Sequence, residues 1–162
     1  MKLTFLGTGS AFTLENYQSN MILEVDGKRL LIDCGGDSRH ALRAVGLGST
    51  DIHAVYVSHL HADHIGGLEW FALTRYFHPV KRERPRLFVN EKLAVEIWHN
   101  YLKGGLGTLQ NMIADLDTYF EVKRLRKNEG FDFNGVHLQT VQTVHYMDGY
   151  EIVPSYGLLW KV

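Results

Sequence analysis

The sequence predicts an α/β protein in which a strand-rich opening is followed by strands that alternate with helices. An Asp-Gly pair at residues 26–27 separates two apolar runs, which is a strong signal for a two-residue β-hairpin turn. Residues 52–57 are almost continuously apolar, as expected of a strand that is buried on both faces. Apolar residues at helical spacing recur between the later strand-like runs. These three observations favour layers of helix and sheet around one core.

The composition is that of one folded domain spanning residues 1–162. The chain has 162 residues, of which 45% are apolar, and a net charge of −1. This balance argues against a strongly basic nucleic-acid-binding protein. The single cysteine excludes an intramolecular disulfide framework, and no apolar run approaches the roughly 18 residues of a membrane span. We therefore expect a soluble, cytoplasmic domain that has no membrane partner.

The first part of the chain is predicted to contain three strands and a helix. The first strand covers residues 3–6, and strands at 21–25 and 29–33 flank the hairpin turn. A helix is expected to begin near Asp37, a residue type that caps helix N-termini, and to end at Gly46. The buried strand at 52–57 follows.

The second part is predicted to alternate between helices and strands. Helices are expected at residues 68–77, 91–102 and 109–115, with a short strand at 87–89 between the first two. Further strands are expected at residues 119–125, 136–144 and 156–161.

Three histidines and an aspartate lie within six residues, directly after the buried strand: His59, His61, Asp63 and His64. Side chains two residues apart in an extended segment point the same way, so His59 and His61 can face one point. Asp63 and His64, at the turn into the next helix, can face a second point nearby. Imidazole and carboxylate together suit zinc, and also manganese or iron. The sequence therefore predicts two adjacent divalent metals, an arrangement used for phosphoester hydrolysis.

The stretch HLHADH at residues 59–64 resembles the H-x-H-x-D-H signature of the metallo-β-lactamase superfamily. Two upstream stretches, FLGTGS at 5–10 and LIDCGG at 31–36, resemble the first two landmarks of that family. Downstream, TVQTVH at 140–145 resembles the strand that delivers a third histidine. The resemblance implies an α/β fold, namely a metallo-β-lactamase-like αββα sandwich of two similar halves.

The resemblance also implies a role for each polar residue of the motif. The first metal would be held by three histidines: His59, His61 and His145. Asp63 and His64 would contribute to the second metal, and Asp63 would be a catalytic residue. Asp33 would lie behind the ligands and orient the metal loop through hydrogen bonds, as such partners commonly do. The alternative for Asp33 is an aspartate that caps a turn.

Members of the family carry two further ligands, an aspartate that bridges both metals and a C-terminal histidine. Neither follows His145 at the expected place, and Asp148 comes too early to be given the bridging role. Residues 155–162 are predicted to form a strand whose hairpin partner is absent. We therefore expect the sandwich to be incomplete at its C-terminus, with a truncated second half and an incomplete second metal site.

The FLGTGS and SHLHADHIGG stretches resemble most closely the ribonuclease Z-like branch, in which a metal-bound hydroxide attacks phosphorus. Residues 10–18 contain no Lys or Arg, and no Gly/Pro-rich arm is evident between His64 and His145, unlike the enzymes that process tRNA 3′ ends. The stretches GTGSAFTLENYQSN and HADHIGGLEW are instead similar to phage anti-Pycsar phosphodiesterases. The favoured function is metal-dependent hydrolysis of small cyclic nucleotides or related phosphodiesters.

Two alternatives stay open. One is a tRNA 3′-processing endoribonuclease, for which RNA would be the substrate and the basic runs at 81–86 and 123–127 its contacts; such runs are more often solvated loops. The other is an inactive, truncated module for metal binding or dimerisation. A homodimer is expected in either case, because ribonuclease Z-like relatives are often homodimers, and the apolar helices around Trp70 and Trp98 could supply its interface.

Overall fold

The computed structural model describes residues 1–80 and 83–161. Its strands are β1 (Lys2–Gly7), β2 (Asn20–Val25), β3 (Lys28–Ile32), β4 (Ala54–Val57), β5 (Arg86–Asn90), β6 (Thr108–Leu109), β7 (Met112–Ile113), β8 (Glu121–Leu125), β9 (Gly130–Phe133), β10 (Val136–Met147) and β11 (Ile152–Leu159). The α-helices are α1 (Ser38–Ala44), α2 (Ala62–Ile65), α3 (Leu68–Tyr76), α4 (Glu91–Glu96), α5 (Lys103–Leu106) and α6 (Leu116–Tyr119). A 3₁₀ turn covers Ser49–Asp51, and a π-helical segment, Ile97–Leu102, joins α4 to α5.

The strands form a large mixed sheet and a smaller antiparallel one. The large sheet has the order β1-β2-β3-β4-β5-β8, antiparallel from β1 to β3 and parallel from β3 to β8. The small sheet has the order β11-β10-β9 and is antiparallel throughout. The parallel strands are joined by helical crossovers that all advance in one direction across the sheet. Because such crossovers are almost always right-handed, their helices cover one face of the large sheet.

The small sheet packs on the other face of the large one through aromatic rings. Phe131 of β9 stacks on Phe88 with 4.0 Å between ring centroids and on Tyr56 at 5.8 Å. The hydroxyl of Tyr56 donates a hydrogen bond to the carbonyl of Tyr156 at 2.8 Å, which ties β11 to β4. The order of layers is therefore helices, large sheet, small sheet, and no helix follows β8 within the described residues.

Several predicted elements are confirmed. Asp26 and Gly27 both have positive φ (46° and 76°), the backbone that a two-residue hairpin turn requires, and β2 and β3 pair on either side of them. Residues 54–57 are all buried, as predicted for this strand. The helix predicted at 91–102 runs through α4 and the π-helical segment. Among the described residues, no helix is both long enough and apolar enough to cross a lipid bilayer.

Two predictions are wrong. The helix expected at 109–115 is a small hairpin of β6 and β7, because the turn between them places Asn111 at φ 64°, outside helical geometry. The last strand does have a hairpin partner. The long strand β10 pairs with it from Gln139↔Leu159 to Met147↔Ile152, so β10 supplies the hydrogen bonds that were expected to be missing.

Candidate metal centre

The motif residues lie in the loop that leaves the C-terminal end of β4. His59 lies two residues after the strand and is 4% exposed, whereas His61 has an extended backbone (φ −67°, ψ 148°) and immediately precedes α2. The two imidazoles point to the same region, with 4.9 Å between ring centroids. This is the convergence that spacing by two in an extended segment predicts.

His145 joins them from the small sheet. Its Nε2 lies 3.2 Å from Nδ1 of His61, and its ring centroid is 4.4 Å from that of His59. Potential ligand atoms of His59, His61 and His145 all lie within 4.8 Å of one another. The structure thus brings His145 into contact with His61, which lies 84 positions earlier in the chain.

A β-bulge turns His145 towards the loop. The register between β10 and β11 shifts between Val144 and Tyr146, so His145 is the extra residue of the irregularity. Bulges re-aim side chains and are common beside functional sites. The bulge also leaves Tyr146 stacked on His61, with 5.7 Å between centroids and 12° between ring planes.

Asp33 contacts the segment at residues 58–64, here called the metal loop, from the side away from the three histidines' ligand atoms. It follows β3, is 4% exposed and has φ 63°. Its carboxylate accepts hydrogen bonds from the Ser58 amide (2.8 Å), the Ser58 hydroxyl (2.7 Å) and Nδ1 of His64 (2.7 Å). Asp33 therefore contacts two residues of the loop that carries the histidines, Ser58 and His64.

These bonds set which nitrogen of each imidazole faces the site. Because the Ser58 hydroxyl donates its one hydrogen to Asp33, it accepts from Nδ1 of His59, 3.0 Å away. That leaves Nε2 of His59 with a lone pair, and this buried atom has no hydrogen-bond partner among the described residues. Likewise, His64 donates Nδ1–H to Asp33 and keeps Nε2 for other contacts.

Asp63 and His64 form a second pair beside the three histidines. Nε2 of His64 lies 3.2 Å from the Asp63 carboxylate, and the His64 ring is 4.0 Å from His59 between centroids. Both side chains are mostly buried yet reach solvent, with 15% and 18% exposed. The two sequence-predicted ligand groups are thus adjacent in the structure.

The surroundings shift the pKa values of His59 and His64 in opposite directions. Burial, reinforced by the neighbouring histidines, lowers the pKa of His59 to about 3, so this imidazole is neutral at physiological pH. Burial also acts to lower the pKa of His64, but the hydrogen bond and charge of Asp33, together with the charge of Asp63, outweigh it and raise that pKa. A neutral imidazole is the form that coordinates a metal.

Two glycines allow the loops behind the site to approach. A Cβ at Gly35 would lie 2.1 Å from the carbonyl oxygen of Asp63, so only glycine fits there. The Cys34 amide donates to the His64 carbonyl at 2.7 Å, and the Gly67 amide donates to the Cys34 carbonyl at 2.8 Å. The loop after β3 and the loop after β4 are therefore one unit.

The sequence reasoning missed two residues that position this unit. Ser58 links Asp33 to His59, and Asn20, which is fully buried, accepts a hydrogen bond from the Gly35 amide at 2.8 Å. The signal for Ser58 was its place between a buried strand and the histidines. For Asn20, a polar residue at the start of an apolar strand was the one available signal.

The donor set fits a divalent metal such as zinc. Neutral imidazoles and a carboxylate are the ligands that zinc prefers. A buried imidazole nitrogen with no partner among the described residues is costly unless something binds it. Histidines whose other nitrogen donates to a carboxylate or hydroxyl are typical of metal centres.

The fold and the site together define a protein of the metallo-β-lactamase fold. Solved structures of that shape match 98% of this chain: a diphosphatase of the PhnP family (TM-score 0.74, 22% identity, 61% of that chain covered) and the short form of human tRNase Z (TM-score 0.71, 22% identity, 64% covered). At these identities the likeness shows the fold. Within that class, the sequence profile of the anti-Pycsar protein Apyc1 family matches residues 1–161, and the chain belongs to this family.

Curated relatives of that description come from bacteria and from phages. The chain is 37% identical over 162 residues to the anti-Pycsar protein Apyc1 of Paenibacillus harenae, which covers 99% of this chain and 64% of the relative. It is 35% identical over 168 residues to that of Bacillus phage 010DV004, covering 94% of this chain and 63% of the relative. The chain thus spans less than two thirds of the length of these relatives.

Proposed function

We propose that this chain carries the metal centre of a phosphodiesterase that hydrolyses small cyclic nucleotides. The observation that carries the proposal is the convergence of His59, His61 and His145 on one point, with the buried Nε2 of His59 lacking a partner among the described residues. His59, His61 and His145 would hold the first metal, and Asp63 and His64 would contribute to a second. Zinc is the expected metal, with manganese or iron as alternatives.

Each protein group has a defined task in this proposal. A divalent metal held there lowers the pKa of coordinated water and neutralises charge on phosphoryl oxygens. Asp33 and Ser58 keep Nε2 of His59 and Nε2 of His64 directed at the site. Asp63, at the solvent-reaching side of the loop, is the residue to which we assign a catalytic role through the second metal that it would help to hold.

Family membership and local charge support a small substrate. The chain belongs to the anti-Pycsar protein Apyc1 family, and its stretches GTGSAFTLENYQSN and HADHIGGLEW resemble phage anti-Pycsar phosphodiesterases. Residues 10–18, which follow β1, carry no cationic side chain that could contact an RNA backbone. Tyr146 lies flat on His61 with 44% of its surface exposed, and an aromatic face beside a phosphate site can stack on a base.

The decisive experiment compares three substrates with one preparation of zinc-loaded protein. We expect turnover of a cyclic mononucleotide and of bis-p-nitrophenyl phosphate, and no cleavage of a precursor tRNA. His61→Ala should abolish the turnover, whereas His137→Ala, an exposed histidine on β10, should not. Cleavage of the tRNA alone would favour the endoribonuclease instead. Absence of all turnover despite bound metal would leave an inactive metal-binding module and refute the proposal for this chain.

Self-association and a cytoplasmic location are part of the proposal. Trp70 and Trp98 are half-buried and pack against the core, so only part of each ring is available to a partner. Near Trp98, Val95 and Tyr101 are 57% and 42% exposed and extend the apolar surface of the same helix. Light scattering of the purified chain would test the homodimer, since a monomer mass at micromolar concentration would contradict it.

A further inference from the structure

A second cavity lies at the end of the large sheet opposite the histidines. It has a volume of about 430 Å³ and is lined by residues at or before the N-terminal ends of β4, β5 and β8, and by the turns of two hairpins. A rung of backbone contacts crosses the sheet here. The His53 amide donates to the Arg29 carbonyl, and the Arg86 amide donates to the His53 carbonyl. Arg86 of β5 lies opposite Glu121 of β8 in the register of the two parallel strands. The metal loop leaves the other end of β4.

The cavity is lined by more positive than negative side chains. The cations are Lys28, Arg75, Arg84 and Arg86, and the carboxylates are Glu83 and Glu121. Glu121 is already paired with Lys123 at 2.6 Å. Arg75 is fixed in the wall because its guanidinium donates to the carbonyls of Ser49 (3.2 Å) and Ile52 (3.3 Å).

Arg86 is held in place without using its donors. Its guanidinium carbon lies 5.5 Å from the ring centroid of Phe88 and 5.3 Å from that of Phe133, so rings from both sheets hold it. Neither Arg86 nor Lys28 makes a side-chain hydrogen bond or salt bridge to another described residue. An arginine fixed by aromatic faces loses little conformational entropy when it binds an oxyanion.

His53 adds a neutral donor to the same wall. Its Nδ1 accepts a hydrogen bond from the Arg29 amide at 3.2 Å, which leaves Nε2–H as a donor. Burial, followed by the charges of Lys28, Arg29, Arg75 and Arg86, lowers the pKa of His53. The groups that act electrostatically on this imidazole are thus all cations.

We propose that this cavity binds the phosphate group of a small molecule, with Arg86 and Lys28 donating to its oxygens. A phosphate dianion matches two cations that form no salt bridge with another described residue, and a fixed guanidinium can donate to two of its oxygens at once. The basic run at 81–86 was expected to be a solvated loop. Of this run, the exposed Arg84 and the half-buried Arg86 line the cavity, while Lys81 and Arg82 lie outside the described residues. The proposal does not depend on the activity of the metal centre.

The test is calorimetric titration of the metal-free protein, prepared with EDTA so that the histidine cluster holds no cation. Inorganic phosphate and adenosine 5′-monophosphate are titrated separately at constant ionic strength. Arg86→Gln and the exposed Lys28→Gln are compared with Lys103→Gln, which removes the same charge from an exposed position on α5. We expect each cavity variant to weaken phosphate binding at least about fivefold, since a hydrogen bond to a charged group is lost. The control should bind as the wild type does.

Each result of these titrations either supports or overturns the proposed phosphate site. Equal binding of phosphate and the nucleotide would support a site for free phosphate, and tighter nucleotide binding would support a site for a phosphomonoester. Because Arg86 packs on aromatic rings, Lys28→Gln keeps the test valid if Arg86→Gln is unfolded by circular dichroism. No binding at millimolar phosphate would overturn the proposal. Equal weakening by Lys103→Gln would overturn the proposal as well, because the weaker binding would then reflect the loss of any positive surface charge.

Discussion

The carboxylate of Asp33 accepts a hydrogen bond of 2.7 Å from Nδ1 of His64, a residue 31 positions later in the chain. The same carboxylate binds the amide and the hydroxyl of Ser58, which in turn contacts His59. One buried side chain thus fixes the orientation of two imidazoles that face different parts of the site. In the proposed metal site, Asp33 is therefore the side chain that contacts both groups of histidines.

Asp33→Asn should weaken metal binding without removing any ligand. An amide cannot accept from Ser58 and His64 as a carboxylate does, so both imidazoles lose their fixed orientation, and such losses typically cost about 10–100-fold in affinity. Competition with a chromophoric chelator would measure the change. The matched control is Asp132→Asn, which removes an exposed aspartate that contacts His137 at 3.2 Å. Equal affinity for the wild type and Asp33→Asn would show that Asp33 does not position the ligands.

Gly35→Ala should destabilise the fold, and Gly36→Ala should not. The added methyl would lie 2.1 Å from the Asp63 carbonyl oxygen at position 35, but its nearest neighbour at position 36 would be 3.8 Å away. Forcing extra atoms into a packed site costs about 1–3 kcal/mol. Urea unfolding followed by circular dichroism would compare the free energies of unfolding. Similar values for the two variants would contradict the close approach of the two loops.

The Cys34 thiol should resist alkylation in the folded protein. It is fully buried, and burial raises its pKa to about 12, so at pH 8 it is the neutral thiol and not the reactive thiolate. Mass spectrometry after incubation with iodoacetamide should find no adduct unless urea is present. Rapid modification under native conditions would mean that the loop behind the metal site opens readily.

Tyr56→Phe should weaken the attachment of the small sheet. The lost hydroxyl leaves the Tyr156 carbonyl without its 2.8 Å partner, and a buried unpaired acceptor costs about 1–3 kcal/mol. Tyr101→Phe, on an exposed part of the π-helical segment, is the control. Hydrogen exchange of the amides of β11 should rise in Tyr56→Phe alone. Unchanged exchange would mean that ring stacking by Phe131 is sufficient to hold the two sheets together.

Spacing within the sequence recovered local features, whereas the approach of His145 to His59 and His61 was anticipated from the family resemblance. The hairpin at Asp26-Gly27 and the convergence of His59 with His61 depend on neighbours in the chain, so spacing alone predicts them. The β6–β7 hairpin was missed because its turn depends on a positive φ at Asn111, within a segment that also has helical spacing. The roles of Ser58 and Asn20 depend on contacts between loops 15 to 25 residues apart, which periodicity does not reveal.

The metal content of the purified chain tests the central claim most directly. Elemental analysis by plasma mass spectrometry should find at least one zinc per chain after purification without chelators. His145→Ala, which removes an exposed ligand and leaves the core intact, should lower that content, and His137→Ala should leave it unchanged. A wild-type chain without divalent metal, or a content that His145→Ala does not alter, would contradict the assignment of this cluster as a metal centre.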